Sequence, residues 1–192
     1  MKKKLTAIFL CVALVAIAVV SASLAYFTDT KTATNTFTVG NVKIDLIEQQ
    51  KGANGLEDFV SNKILLPGTS DKNAVSKIVT VKNTGENAAY VRIQVQKAIS
   101  LAEGVQGDPD VSLITMDFDR AGWTEKDGYY YYNEPLEPGE TTTALFNNVT
   151  FAPSMGNMYQ NSTATIKVNA QATQVKNNGT DVFTAAGWPE SK

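Results

Sequence analysis

The clearest alternation of apolar and polar positions runs from Ala89 to Gln96, where Ala89, Val91, Ile93 and Val95 interleave with Tyr90, Arg92, Gln94 and Gln96. This two-residue period predicts an antiparallel strand with one face in a core and the other in water. Just upstream, Val75, Val79 and Val81 share a face around Lys77, and Asn83-Thr84-Gly85-Glu86-Asn87 connects the two segments. Far downstream, Ala164, Ile166, Val168, Ala170 and Ala172 fall on one parity and predict another strand. Nearer the start, Phe37 and Val39 alternate on one parity and Val42, Ile44 and Leu46 on the other. A bulge or sharp turn at Gly40-Asn41 would keep both sets on one face.

Turn chemistry separates these runs. Ile64-Leu65-Leu66 is a short apolar run ended by Pro67-Gly68, and "KGANGLED" (Lys51 to Asp58) reads as a loop by composition. Val111 to Phe118 predicts a strand. Trp123 and the tyrosines 129–132 flank Lys126-Asp127-Gly128, which predicts a hairpin, because Asp-Gly tolerates the positive φ angles of a tight turn. "TTTALFNNVTF" predicts a further strand, and the tail from Lys176 is Asn/Gly-rich and ragged, with Phe183 and Trp188 available to dock. Roughly eight short strands with no long helix after the first residues imply an all-β, antiparallel two-sheet sandwich. A jelly-roll-like or immunoglobulin-like arrangement fits, and the lack of a cysteine pair excludes a true antibody-type domain.

The first residues follow another pattern. Lys2, Lys3 and Lys4 precede an apolar run from Leu5 to Val20, and small residues "SASLA" follow. This is the layout of a secretory signal helix, with Ser23 and Ala25 at the small positions before a cut and Tyr26 as the new N-terminus. An uncleaved anchor is the competing reading, but the run is at the short end for about 30 Å of hydrocarbon. Cleavage would remove Cys11, the only cysteine. It would also take three lysines, lowering the basic count from 17 to 14 against 19 acids, a net charge of −5. The domain limits on this reading are a signal at 1–25, an N-terminal extension at 26–39, a sandwich at 40–176 and a tail at 177–192.

Composition then narrows the chemistry. The chain has no histidine, so Ser-His-Asp and Cys-His sites and the His-Glu-x-x-His zinc site are excluded. No glycine-rich phosphate loop is present. The acidic chain has no basic cluster after the first residues, which argues against nucleic-acid binding. Asp108 with Asp110 and Asp117 with Asp119 could offer oxygen ligands to calcium, although solvated loop acids are the commoner outcome. Trp123, Tyr129 and Tyr131 could form a sugar-binding face, or they could be core and cross-strand partners. No catalytic residue, metal site or cofactor is expected.

Taken together, "AYFTDTKTATNTFTVGNVKIDL", "LLPGTSDKNAVSKIVTVKNTGENAAYVRI" and the late "KVNAQATQ" resemble the TasA/camelysin family of exported proteins from Gram-positive bacteria. The resemblance rests on Tyr26, Phe27, Thr28 and Asp29 after the signal, on Leu66-Pro67-Gly68, and on Asn83 to Gly85. It implies a jelly-roll subunit cut by a signal peptidase of the SipW type and secreted to the cell surface or a biofilm matrix. It also implies homopolymeric fibres in which the N-terminal segment of one subunit adds as a strand to the next, with an accessory matrix protein as a further partner. Tyr26, Phe27, Thr28, Asp29, Phe37 and Val39 would carry that strand donation, and the membrane would be met only through the uncleaved signal. Camelysins of this family are described as surface metalloproteases; the absence of histidine keeps that activity from being carried over. A glycan- or surface-binding module is the other alternative.

Overall fold

The computed structural model describes residues 25–26, 42–60, 64–65 and 74–189. In chain order the strands are β1 (Ala25–Tyr26), β2 (Ile44–Gly52), β3 (Gly55–Asp58), β4 (Ile64–Leu65), β5 (Ala74–Ser76) and β6 (Ile78–Asn83). They continue with β7 (Ala89–Ser100), β8 (Ile114–Met116), β9 (Trp123–Lys126), β10 (Tyr129–Tyr132), β11 (Asn148–Phe151) and β12 (Thr163–Gln174). Every strand pair is antiparallel. The predicted all-β class therefore holds for the described residues; the predicted signal helix lies outside them.

Three sheets make up the body. One has the order β12-β7-β10-β9, a second β5-β11-β8 and a third β3-β2-β6. The second and third are joined by backbone bonds. β5 and β6 are one run interrupted at Lys77, and the segment leading into β11 tracks beside it. The Lys77 amide donates to the Asn147 carbonyl at 2.9 Å, the Leu145 amide to Val79 at 2.8 Å and the Thr142 amide to Val81 at 2.9 Å. Paired amides are thereby supplied where no regular ladder is formed.

The core follows from the strand period. Val91 and Ile93 on β7, Val79 and Val81 on β6, and Val168, Ala170 and Ala172 on β12 all join one buried cluster, which also holds Trp123, Tyr130, Phe146 and Phe151. Each of the valines, isoleucines and phenylalanines among them stabilises the fold by roughly 1.5–3 kcal/mol relative to an exposed one. The parity expected for Val42, Ile44 and Leu46 is present: Val42 and Ile44 are buried and Leu46 packs against the cluster. Their partners Phe37 and Val39, and the register break at Gly40-Asn41, lie outside the described residues.

Four expectations need correction, the first being "TTTALFNNVTF", which is regular strand only at Asn148–Phe151. Lys51 to Asp58 is a hairpin, not a loop: β2 runs on to Gly52, and β3 returns with Gln50 opposite Glu57. All four β3 residues are exposed, so the strand has no apolar side to reveal it. Val111 to Phe118 is strand only at Ile114–Met116 and opens with a single 3₁₀ turn at Val111–Leu113, capped by the Asp110 side chain. The tail is not ragged as far as Pro189. Val182 is buried on the outer side of the four-stranded sheet with Tyr90 and Tyr131, and Val175, Ala185 and Trp188 pack around them. Asn178 holds the tail, donating to the Ala186 carbonyl at 2.9 Å and accepting from the Ala186 amide at 2.7 Å.

Candidate functional site

The N-terminal junction forms a ladder. Ala25 pairs with Leu65 and Tyr26 with Ile64. Both strands are two residues long, and β4 pairs with no other strand among the described residues. The ladder spans the Ala25–Tyr26 bond, where the small-residue rule places a signal cut. Ser23, Phe27, Thr28, Asp29, Phe37 and Val39, the other residues expected at this junction, lie outside the described residues.

The aromatic hairpin forms where the sequence placed it. Asp127 and Gly128 take φ of 51° and 78°, the positive pair that a tight hairpin turn requires. Alternation then splits the rings between two faces. Tyr130 and Tyr132 point inward with Trp123, which is 1% exposed and donates from its indole nitrogen to the Thr143 carbonyl at 3.2 Å. Trp123 is therefore a core residue and not part of a surface-binding face. Burial pushes the Tyr130 phenol up, with the Glu125 carboxylate adding to the shift. Tyr129 and Tyr131 do point outward, but Tyr131 is buried beneath the tail.

These outward tyrosines surround Arg92, a residue not anticipated at a site. Tyr131 lies directly across from Arg92 on β7, and Gln171 of β12 lies across on the other side. The guanidinium donates from Nε to Gln171 Oε1 at 2.7 Å and from one Nη to the Tyr131 hydroxyl at 3.2 Å. Its carbon sits 3.9 Å from the centre of the Tyr129 ring and 4.5 Å from that of Trp188. Two aromatic faces thus hold the planar group in one orientation, an arrangement suited to arginine and not to lysine. The available signal was the outward half of the β7 alternation, where arginine and tyrosine stand together.

The acid pairs do not assemble a cation site. Asp117 accepts from the Asn147 and Asn148 amides at 2.8 and 2.7 Å and from the Asn148 side chain at 2.8 Å. Asp119 accepts from the amides of Gly122 and Ala121 and from the Thr143 hydroxyl, and these bonds hold its carboxyl below the usual range. Asp110 is likewise lowered by Ser112, whose amide it caps. Asp110, Asp117 and Asp119 are thus each engaged in fixing their own loops. Among the described residues no three acidic side chains converge.

One ion pair lies in the interior. Lys77 Nζ is 2.9 Å from Glu48 Oε1, with the two side chains 1% and 8% exposed. The ammonium also stands 4.0 Å from the centre of the Phe59 ring. Lys77 shares the inward parity of Val75, Val79 and Val81, so the strand period delivers a charge to the core and Glu48 compensates it.

Among the described residues the fold is built of antiparallel sheets, with an arginine–aromatic cluster on one outer face. No family model, curated protein or solved structure matches the chain.

Proposed function

We propose that the chain is a secreted, jelly-roll-like sandwich subunit of an extracellular fibre, joined head to tail by N-terminal strand donation. A signal peptidase of the SipW type would free the N-terminus at Tyr26, and the homopolymer would build a matrix or cell-surface fibre.

One observation carries this reading. The junction segment is already a strand, and its ladder straddles the expected cut. Cutting after Ala25 removes one of the two paired residues. Tyr26 alone opposite Ile64 is too short to persist as a pair, since even a complete isolated hairpin is marginal in water. The cut therefore releases both a free extended end and the strand it covered. An extended end with unpaired amides and carbonyls adds to a sheet edge of another copy, and addition in this sense does not close on itself.

Electron microscopy of two purified forms tests the proposal, one beginning at Tyr26 and one at Gly40. Filaments from the Tyr26 form alone are expected. Filaments of equal yield from the Gly40 form would overturn the strand-donation role.

A further inference from the structure

The outer face of the four-stranded sheet has a charge pattern opposite to that of the whole chain. Most inward positions of β7, β10 and β12, and Trp123 of β9, enter the core, and outward ones alternate with them. The outward positions hold three cations, Arg92, Lys126 and Lys167, and no carboxylate, although the chain has 19 acids against 17 bases. Among its described residues the docked tail brings one carboxylate, Asp181, and it is engaged by the Phe183 and Thr184 amides at 2.8 and 2.9 Å.

The same face carries amides and rings. Gln94 lies across from Asn169 and Gln96 across from Lys167, in a row continuing from Arg92 and Gln171. At the tail end, Phe183 is 40% exposed, and its ring faces the Lys126 ammonium at 5.6 Å. Arg92 has committed its Nε and one Nη, and among the described residues its other Nη has no acceptor. Beside it the Nε2 of Gln171, a residue with no exposed surface, finds no hydrogen-bond partner. A buried donor of that kind is costly to leave unmade, and with no exposed surface it is closed to a ligand on the face.

We infer that this face binds an acidic polysaccharide, a polymer of sugars bearing carboxylates. Aromatic faces take the C–H faces of sugar rings, amides take hydroxyls, and cations take carboxylates; the Arg92 Nη left over from Gln171 and Tyr131 is a charged donor held in place for one carboxylate oxygen. Arg92 and Lys167 stand four residues apart along the sheet, about 13 Å. That spacing spans more than a single sugar, so the ligand is a chain. The inference is independent of fibre assembly.

The test is affinity electrophoresis of the purified chain through gels containing polygalacturonate, neutral dextran or double-stranded DNA. Retardation by polygalacturonate alone is expected. Lys167→Glu, and Gln96→Glu at an exposed position, should each weaken it about tenfold with the melting temperature unchanged. Lack of retardation by polygalacturonate, or equal retardation by DNA, would overturn the inference. So would folded variants that bind as well as the parent.

Discussion

Lys77 and Asn83 occupy inward positions of the β5–β6 run in company with Val75, Val79 and Val81, and each is polar for a different reason. Lys77 is neutralised by Glu48, so removing only one partner strands a charge. Lys77→Met should cost about 3–5 kcal/mol in urea unfolding, and the double variant with Glu48→Leu should recover most of it. Asn83 has no exposed surface, donates to the Asn87 and Leu136 carbonyls at 2.8 Å each and accepts from the Gly85 amide at 2.9 Å. Asn83→Ala should cost about 3 kcal/mol, and Asn83→Asp should not rescue it, because a carboxylate cannot donate. The sequence marked both positions, one as a break in an apolar face and the other as the start of a turn. What it did not carry was the partner: Glu48 and Leu136 are remote in the chain, and only pairing brings them near. At Asp119 the folded state prefers the ionised carboxylate, so its pKa lies below the unfolded value. The stability it gives is complete above about pH 4–5 and is lost as pH falls through the depressed value. Asp119→Asn should therefore show a shallower acid limb in melting temperature below about pH 4. Gly122 borders the same loop; an added Cβ would collide with Thr143 and Asp119.

Among the elements, the β9–β10 hairpin was the most legible, since Asp127-Gly128 states its turn and the rings state its strands. Gly128→Ala should destabilise it by about 1 kcal/mol, because φ of 78° suits glycine and opposes a side chain. The element that composition hid is β3. Its residues Gly55, Leu56, Glu57 and Asp58 are all exposed, and as an edge strand it carries two acids that deter pairing with other chains. The tail was hidden differently. Its glycines and asparagines resemble a linker, yet they form the turns that bring Val182 and Trp188 back onto Tyr131. Removing residues 176–192 should lower stability by about 2 kcal/mol through lost apolar burial. Amide exchange should then rise around Tyr90, Arg92 and Tyr131 and stay slow in β6.

For the molecule as a whole, periodicity supplied the class and the core but not the strand order. β7 pairs with β12 across the longest register in the protein, Ala89 opposite Gln174 through Ser100 opposite Thr163, and nothing local announces that partnership. The same gap explains why Trp123 was expected on a surface face, although it is buried. Parity told which rings alternate, but not that Trp123 would lie inward and Arg92 would stand beneath Trp188. Assembly makes its own prediction at this scale. The amides of Ile64 and Leu65 should exchange faster in monomers beginning at Tyr26 than in the uncut chain, where a two-residue ladder gives them partial protection. In filaments they should be slowest if a neighbour's strand replaces the lost ladder, and hydrogen–deuterium exchange with mass spectrometry reads all three.

The two tryptophans of the chain sit in separate compartments, Trp123 within the main core and Trp188 on the clamp over Arg92. They therefore act as independent optical gauges. Trp188→Phe leaves an emission that follows global unfolding alone. The difference between parent and variant isolates the tail, so its lifting from the sheet becomes a colour change visible before the core gives way.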